Sequence, residues 1–351
     1  PVKDYVSACL KMTSRAAIEQ LGQKSGYVYV PSEWQRQQDS YIAIGNHALV
    51  KIPYWYYMGE SRIPSIGFME SQISAYIENN IGLCIQDFAM FDDRYDITPR
   101  GDIKVSTTIA ENDVLVEAEY PLRVKSVADG RVIALTSYTA SSDVRLKKIY
   151  DTATAFMEFE NRNMVIENAT LDIMAMHPDI PQSGLTFDCT PQRWYVEDIK
   201  EELSGVMRYH LSRVRIKDTD YLAFESSPDE YQYFAGFDGE DIFNGRLPDR
   251  APPSDAYDYF HYYYDINIPR NNLKVAMEYD PSWGMDITAR PSSGGVLRSD
   301  INRGMQRYLS YMCINFHHFT YDVEYPVTMV LADNEAFNGD GYIFRFAFPV
   351  L

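Results

Sequence analysis

Cysteine is scarce in this chain and never paired locally: Cys9, Cys84, Cys189 and Cys313 stand far apart along 351 residues. Structural zinc sites draw on C-x2-C pairs and dithiol redox centres on C-x-x-C, because two sulfurs must converge on one ion or on each other. Neither spacing occurs, so the sequence supports neither chemistry. Isolated cysteines leave two readings. They close disulfides across the tertiary structure, which places the chain in an oxidising compartment, or they pack as buried free thiols.

Positive charge is also short. With 32 basic and 50 acidic residues the net charge is −18, which opposes binding to a phosphate backbone or an anionic membrane surface. Nucleic acid is therefore not expected as a partner. Long apolar runs are missing too: none approaches the roughly 20 residues of a membrane-spanning helix, and Pro1-Val2-Lys3-Asp4 does not read as a secretory signal. The expectation is a chain soluble as given, reaching a membrane only through an anchor outside this sequence. A mature product and a truncated ectodomain both fit.

Catalytic signatures are absent as well. There is no G-x-S-x-G elbow, no G-x-G-x-x-G or Walker loop and no H-E-x-x-H. The histidines are His47, His177, His210, His261, His317 and His318. His317-His318 with Asp322 and Glu324 has the side chains of a metal site, but neighbours on a strand point to opposite faces, so a structural pair is expected. Asp92-Asp93 and Glu240-Asp241 read as solvated acidic loops, since the separation that makes two carboxylates a glycosidase pair is spatial. No catalytic residue is assigned.

What the chain has in abundance is tyrosine, 28 residues in an aromatic fraction of 14%. Tyrosine suits recognition surfaces and equally a tyrosine-rich β core. Apolar residues at helical spacing predict a helix over 2–21, carrying Cys9, and a second over about 66–88, capped by Ser65 and carrying Cys84. Alternation predicts a strand over 27–30, a hairpin over 41–52 around Gly45-Asn46, and an antiparallel meander through 103–109, 114–120 and 131–135. One long helix is predicted from Ser142 to about Glu167, and another over 192–210 after the interruptions at Pro178, Pro181 and Gly184. Strand character follows at 213–216, 221–224, 231–234, 257–264 and 273–279, with an exposed loop over 237–255.

Glu119-Tyr120-Pro121 recurs as Glu324-Tyr325-Pro326, in both places inside strand-like sequence. Proline lacks the N–H, which confines it to an edge, a bulge or a strand end. The echo is compatible with two related lobes. The fold class expected is α+β, with antiparallel sheets and packed amphipathic helices in two lobes, 1–175 and 176–351.

Three further features are candidate sites. Asp238, Glu240 and Asp241 carry oxygen ligands suited to calcium, although their spacing departs from the EF-hand pattern; calcium is the single cofactor considered, and none is the base expectation. Asn168-Ala169-Thr170 is an N-glycosylation sequon, meaningful in an exported chain. In the segment 257–264, Tyr257, Tyr259, Tyr262 and Tyr264 are candidate interface residues, because aromatics bury well at contacts; a core strand accounts for the same alternation.

Tyr5-Val6-Ser7-Ala8-Cys9-Leu10, Cys84 on a second helix, Trp194 five residues after Cys189, and Tyr321-Asp322-Val323-Glu324-Tyr325-Pro326-Val327 together resemble a set of uncharacterised archaeal surface proteins. In these a short N-terminal transmembrane segment precedes a large extracytoplasmic domain. The resemblance implies export and anchoring, and it carries no catalytic residues. Given it, the preferred pairing among three is Cys9–Cys84 and Cys189–Cys313, each stabilising by roughly 4 kcal/mol in the chain-entropy model.

The function expected is thus an extracellular or cell-surface structural or interaction protein: an envelope component, a filament or lattice subunit, or an adhesion module. Its partner would be another copy of itself or another surface protein. The alternative is a secreted hydrolase whose carboxylates converge only in three dimensions.

Overall fold

The computed structural model describes residues 1–44, 50–177, 179–212, 214–221, 263–301 and 314–351. The fold is α+β with sheets that are almost wholly antiparallel. The chain divides into two compact units, each discontinuous in sequence: residues 1–156, 271–274 and 330–347 in unit 1, and 157–270, 275–329 and 348–351 in unit 2. The division expected at 175/176 therefore falls inside unit 2.

Unit 1 opens with α1 (Val2–Gln23), whose Val6, Leu10, Ala17, Ile18 and Leu21 are fully buried. Residues 27–30, expected as a strand, have no regular structure. The Gln72 carboxamide takes the N–H groups of Val28 and Tyr29 at 2.7 and 3.0 Å, replacing a strand partner. Two small hairpins follow, β1 (Tyr41–Ile44) with β2 (Val50–Pro53) and β3 (Tyr56–Tyr57) with β4 (Glu60–Ser61); the Gly45-Asn46 turn and His47 lie outside the described residues. Between them Trp55 is fully buried, stacks on Phe346 at 4.0 Å and donates its indole N–H to the Ser25 carbonyl at 2.9 Å.

Helix α2 (Ile66–Ile85) starts at Ser65, whose Oγ accepts the Phe68 N–H at 3.2 Å. This satisfies one of the orphan donors of the first turn. Met69, Ile73, Ile77, Ile81 and Ile85 recur every fourth residue and are buried. The helix packs against α1, and the Cys9–Cys84 disulfide joins them with Cα atoms 5.6 Å apart. Beyond Cys84, Gln86, Asp87 and Phe88 all adopt left-handed φ, a costly conformation for residues with a Cβ. The staple and the Tyr5 hydroxyl, which donates to the Cys84 carbonyl at 2.7 Å, anchor the chain just ahead of it.

Four strands form the main sheet of unit 1: β5 (Tyr95–Pro99), β6 (Lys104–Ile109), β7 (Val114–Ser126) and β8 (Val132–Ser142). On one side β7 pairs β6 through Val114–Glu119 and β5 through Leu122–Ser126; on the other it pairs β8 along both halves. The register shifts between Glu119 and Leu122, where Pro121 has no N–H to give. Val114, Val116, Ala118, Leu122 and Val124 alternate into the core. Above β6, the Glu78 and Glu70 carboxylates of α2 accept the Val105 and Ile109 N–H groups at 2.8 Å each, so helix side chains occupy that edge of the sheet.

The single helix expected from Ser142 to Glu167 is two. Strand β8 runs on to Ser142; α3 spans Leu146–Asn163 and α4 spans Val165–Met176. Met164 between them has φ 47° and ψ 50°, and Glu160 Oε1 accepts the Ile166 N–H at 2.9 Å. A side chain from the end of one helix thus caps the start of the next.

Unit 2 continues through β9 (Ser183–Thr186), β10 (Arg193–Tyr195), α5 (Val196–Leu211), β11 (Arg215–Ile216), β12 (Asp220–Tyr221) and β13 (Tyr263–Tyr264). Then come β14 (Lys274–Glu278), β15 (Asp286–Arg290), β16 (Val296–Arg298), β17 (Asp300–Ile301), β18 (Asn315–His318), β19 (Thr320–Asp333) and β20 (Tyr342–Val350). Helix α5 begins later than expected because Arg193–Tyr195 pair with β16 instead. The largest sheet has the order β12-β14-β19-β15, with β20 also on β19. The division between the units falls within α3, β14, β19 and β20.

Candidate functional site

Charged residues rarely occupy the apolar stripe of an amphipathic helix. In α3 the buried positions Leu146, Ile149, Ala153, Phe156 and Met157 continue to Glu160, which is 2% exposed. Its carboxyl interacts with the Glu167 carboxyl of α4 and the Tyr264 hydroxyl of β13, although neither Oε2 of the two glutamates meets the geometry of a full hydrogen bond. Burial pushes the Glu160 carboxyl up to about 8; the Ile166 N–H opposes this and the Glu167 charge adds to it. Among the described residues no cation pairs with its carboxyl, and Glu160 is held as the neutral acid near pH 7.

Glu167 also lines a cleft of about 410 Å³ in unit 2. One wall is α4, with Glu167, Thr170 and Leu171; the other is the paired strands β15 and β19, with Asp286, Asp322 and Glu324. The antiparallel register sets Asp286 directly opposite Glu324. Like charges across a strand pair are destabilising, and both side chains are exposed on the cleft side. Asp322 is engaged at 2.8 Å by Arg290 on the same pair of strands. Behind the wall the Thr170 hydroxyl shares a 2.7 Å hydrogen bond with the fully buried Tyr325 hydroxyl and bonds the Ile166 carbonyl at 2.8 Å. The arrangement is an acidic trough with a neutral buried acid beneath Glu167.

Of the residues singled out in the sequence, Asp322 and Glu324 line this cleft, as does Thr170 of the sequon; most of the others do not. Cys9 and Cys84 are joined; Cys189 is disulfide-bonded, and Cys313, the partner expected for it, lies outside the described residues. Asp238, Glu240 and Asp241, the calcium candidates, also lie outside them, as do Tyr257, Tyr259 and Tyr262. Tyr264, offered with these as an interface residue, is 1% exposed and packs edge-on against Phe159, so its ring belongs to the core of unit 2. Asn168 is exposed on α4, while the Thr170 of its sequon is buried.

His317 and His318 point to opposite sides of β18 as expected. His318 meets Ser183 Oγ at 2.6 Å, and His317 stacks with Phe319 and meets the Trp194 ring at a tilt. A Cβ on Gly184 would lie 2.6 Å from the His317 ring, so only glycine permits this packing. Among the described residues no three His, Cys, Asp or Glu side chains are grouped to hold a metal ion.

Sequence reasoning passed over Glu160, Glu167 and Asp286. The first was legible as a charge on an apolar stripe; the others are ordinary surface acids until the fold gathers them. No family model matches this chain, and no curated protein or solved structure matches it either.

Proposed function

We propose that this chain is an extracytoplasmic interaction protein, of the kind its resemblance to archaeal membrane-anchored surface proteins implies, and that the unit 2 cleft receives a cationic group. The observation that carries the reading is Asp286 opposite Glu324 in a trough that also holds Glu167 and Asp322. Two exposed carboxylates held face to face cost stability in the empty protein, and a lysine, arginine or amine between them removes that cost while gaining charge-assisted hydrogen bonds. Leu171, Val323 and Val350 supply apolar contact for an aliphatic stem. The Cys9–Cys84 bond supports an oxidising location, and among the described residues no helix is long and apolar enough to cross a membrane.

The test is calorimetric titration with a lysine-rich peptide. Asp286→Asn/Glu324→Gln is expected to weaken binding at least about tenfold without lowering thermal stability, while Glu111→Gln in unit 1 leaves binding unchanged. Equal losses in both variants would show attraction by net charge alone and overturn the site.

A second reading has its own observation. Glu167 faces the cleft with the neutral acid Glu160 behind it, and a carboxyl kept neutral beside a second carboxyl is a working part of many hydrolases. Release of reducing sugar from a polysaccharide panel, abolished by Glu167→Gln but not by Asp286→Asn, would favour the enzyme.

A further inference from the structure

The β8 edge of unit 1 is built differently from the other margin of its sheet. On the far side of β7, the N–H groups of β6 are taken by Glu70 and Glu78, and β5 carries Asp96 and ends on Pro99. Charge, proline and covering side chains are how sheets prevent edge-to-edge pairing. Strand β8 has none of these. Its eleven residues, Val132 to Ser142, contain no charge, proline or glycine, and Val132 and Ile133 are 52% and 59% exposed. Among the described residues strand β8 pairs with β7 alone, and the backbone hydrogen bond to it from outside that pairing is the one from the Val144 N–H to the Ser142 carbonyl at its very end. Helix α1 covers one face of its C-terminal half, where Ser14 and Ser142 Oγ lie 3.5 Å apart.

The ends of β8 identify the partner. Arg131 precedes the charge-free run and Asp143 follows it, and both are exposed. When two copies of the strand meet antiparallel with Ser137 opposite Ser137, Val132 faces Ser142, and Arg131 of each copy faces Asp143 of the other. A parallel meeting sets like charge against like. Asp143 Oδ2 is already fixed by the Asn338 N–H at 2.9 Å, and Arg131 turns from its present partner Asp129, 3.1 Å away. For a chain of net charge −18, a strand without charge, closed at its ends by opposite charges, is where a second copy approaches with least repulsion.

We propose that β8 is a self-association edge, on which a second copy of this chain adds its own β8 antiparallel and continues the sheet across a two-fold axis. Unpaired backbone groups supply the affinity, as in other strand additions; the charge-free run and its end pairs set register and direction. This goes beyond the cleft reading and rests on unit 1 alone.

Sedimentation equilibrium of the full chain tests it. The wild-type chain is expected to dimerise, and amides of β8 are expected to exchange more slowly as concentration rises. Ser137→Lys sets two lysines together on the axis and is expected to weaken the dimer by about tenfold or more. Its fold is kept because Ser137 faces Glu119 within the chain. Arg131→Glu and Asp143→Arg are each expected to weaken the dimer, and mixing the two restores it, since each copy then offers the other its missing opposite charge. A wild-type chain that stays monomeric, or a Ser137→Lys dimer as tight as wild type, overturns the edge. Weakening by both end variants without rescue on mixing overturns the antiparallel register. If Asp143→Arg fails to fold, Ser137→Lys and the exchange measurement decide.

Discussion

In unit 1 the buried carboxyl is Asp333, 1% exposed and clasped by the Arg145 guanidinium, which also bonds Asn272. In unit 2 it is Glu160, 2% exposed and set beside a second carboxyl and a tyrosine. Burial pushes both groups toward the neutral form. For Asp333 the hydrogen bonds and charge of Arg145 outweigh burial and hold the carboxyl below its usual range; for Glu160 no cation among the described residues answers and burial wins. The comparison shows that the fate of a buried acid follows from its partner and not from its depth.

That difference gives opposite pH dependences. The folded pKa of Asp333 is depressed, so its contribution is present above the ordinary value of 3.8 and is lost as pH falls through the lower folded value. The folded pKa of Glu160 is raised, so its contribution is fully present below 4.5 and is lost as pH rises through about 8. Unit 1 should fail first in acid and unit 2 in mild alkali.

The sharpest way to break the contrast is Arg145→Met, which leaves Asp333 buried and unpaired. A loss of about 3–5 kcal/mol is expected at pH 7, read by urea denaturation with hydrogen exchange on unit 1 peptides, and it should shrink in acid as Asp333 takes a proton. Next is Cys9→Ala/Cys84→Ala. The bridge spans a sequence separation of 75, and its removal should lower the thermal transition of unit 1 by the equivalent of about 2–4 kcal/mol while leaving exchange in α4 unchanged.

Glu160→Gln has a smaller and pH-dependent effect. The variant should match wild type near pH 5 and exceed it by about 2 kcal/mol at pH 9, because a carboxamide has no charge to be forced into the core. A wild-type profile that stays flat between pH 5 and 9 would contradict a neutral Glu160. Smallest is Thr170→Val, which strands the Tyr325 hydroxyl and should cost about 1–2 kcal/mol in unit 2 alone.

Much of unit 1 was legible in the sequence. The Cys9 and Cys84 helices follow from apolar spacing, and the meander expected through 103–109, 114–120 and 131–135 from alternation, because local periods and turn residues report directly on local structure; its last two strands run further, to Ser126 and Ser142. The errors share a cause. Residues 27–30 alternate like a strand, but the Gln72 side chain takes the Val28 and Tyr29 N–H groups; 142–167 reads as one helix, but the Glu160 carboxyl caps a second one. In each case a side chain satisfied backbone groups that periodicity assigns to secondary structure. The cleft was illegible because Glu167, Asp286 and Glu324 come from three elements spread over nearly half the chain.

By itself the sequence determined the α+β class, the two cysteine-bearing helices and the acidic balance, since each depends on composition or short-range pattern. Tertiary structure alone decided which carboxyls keep their charge, which strand's N–H groups the α2 carboxylates cover and which acids share a cleft. Those depend on what faces a group across distances of a few ångströms, and neighbours in space are not neighbours in sequence.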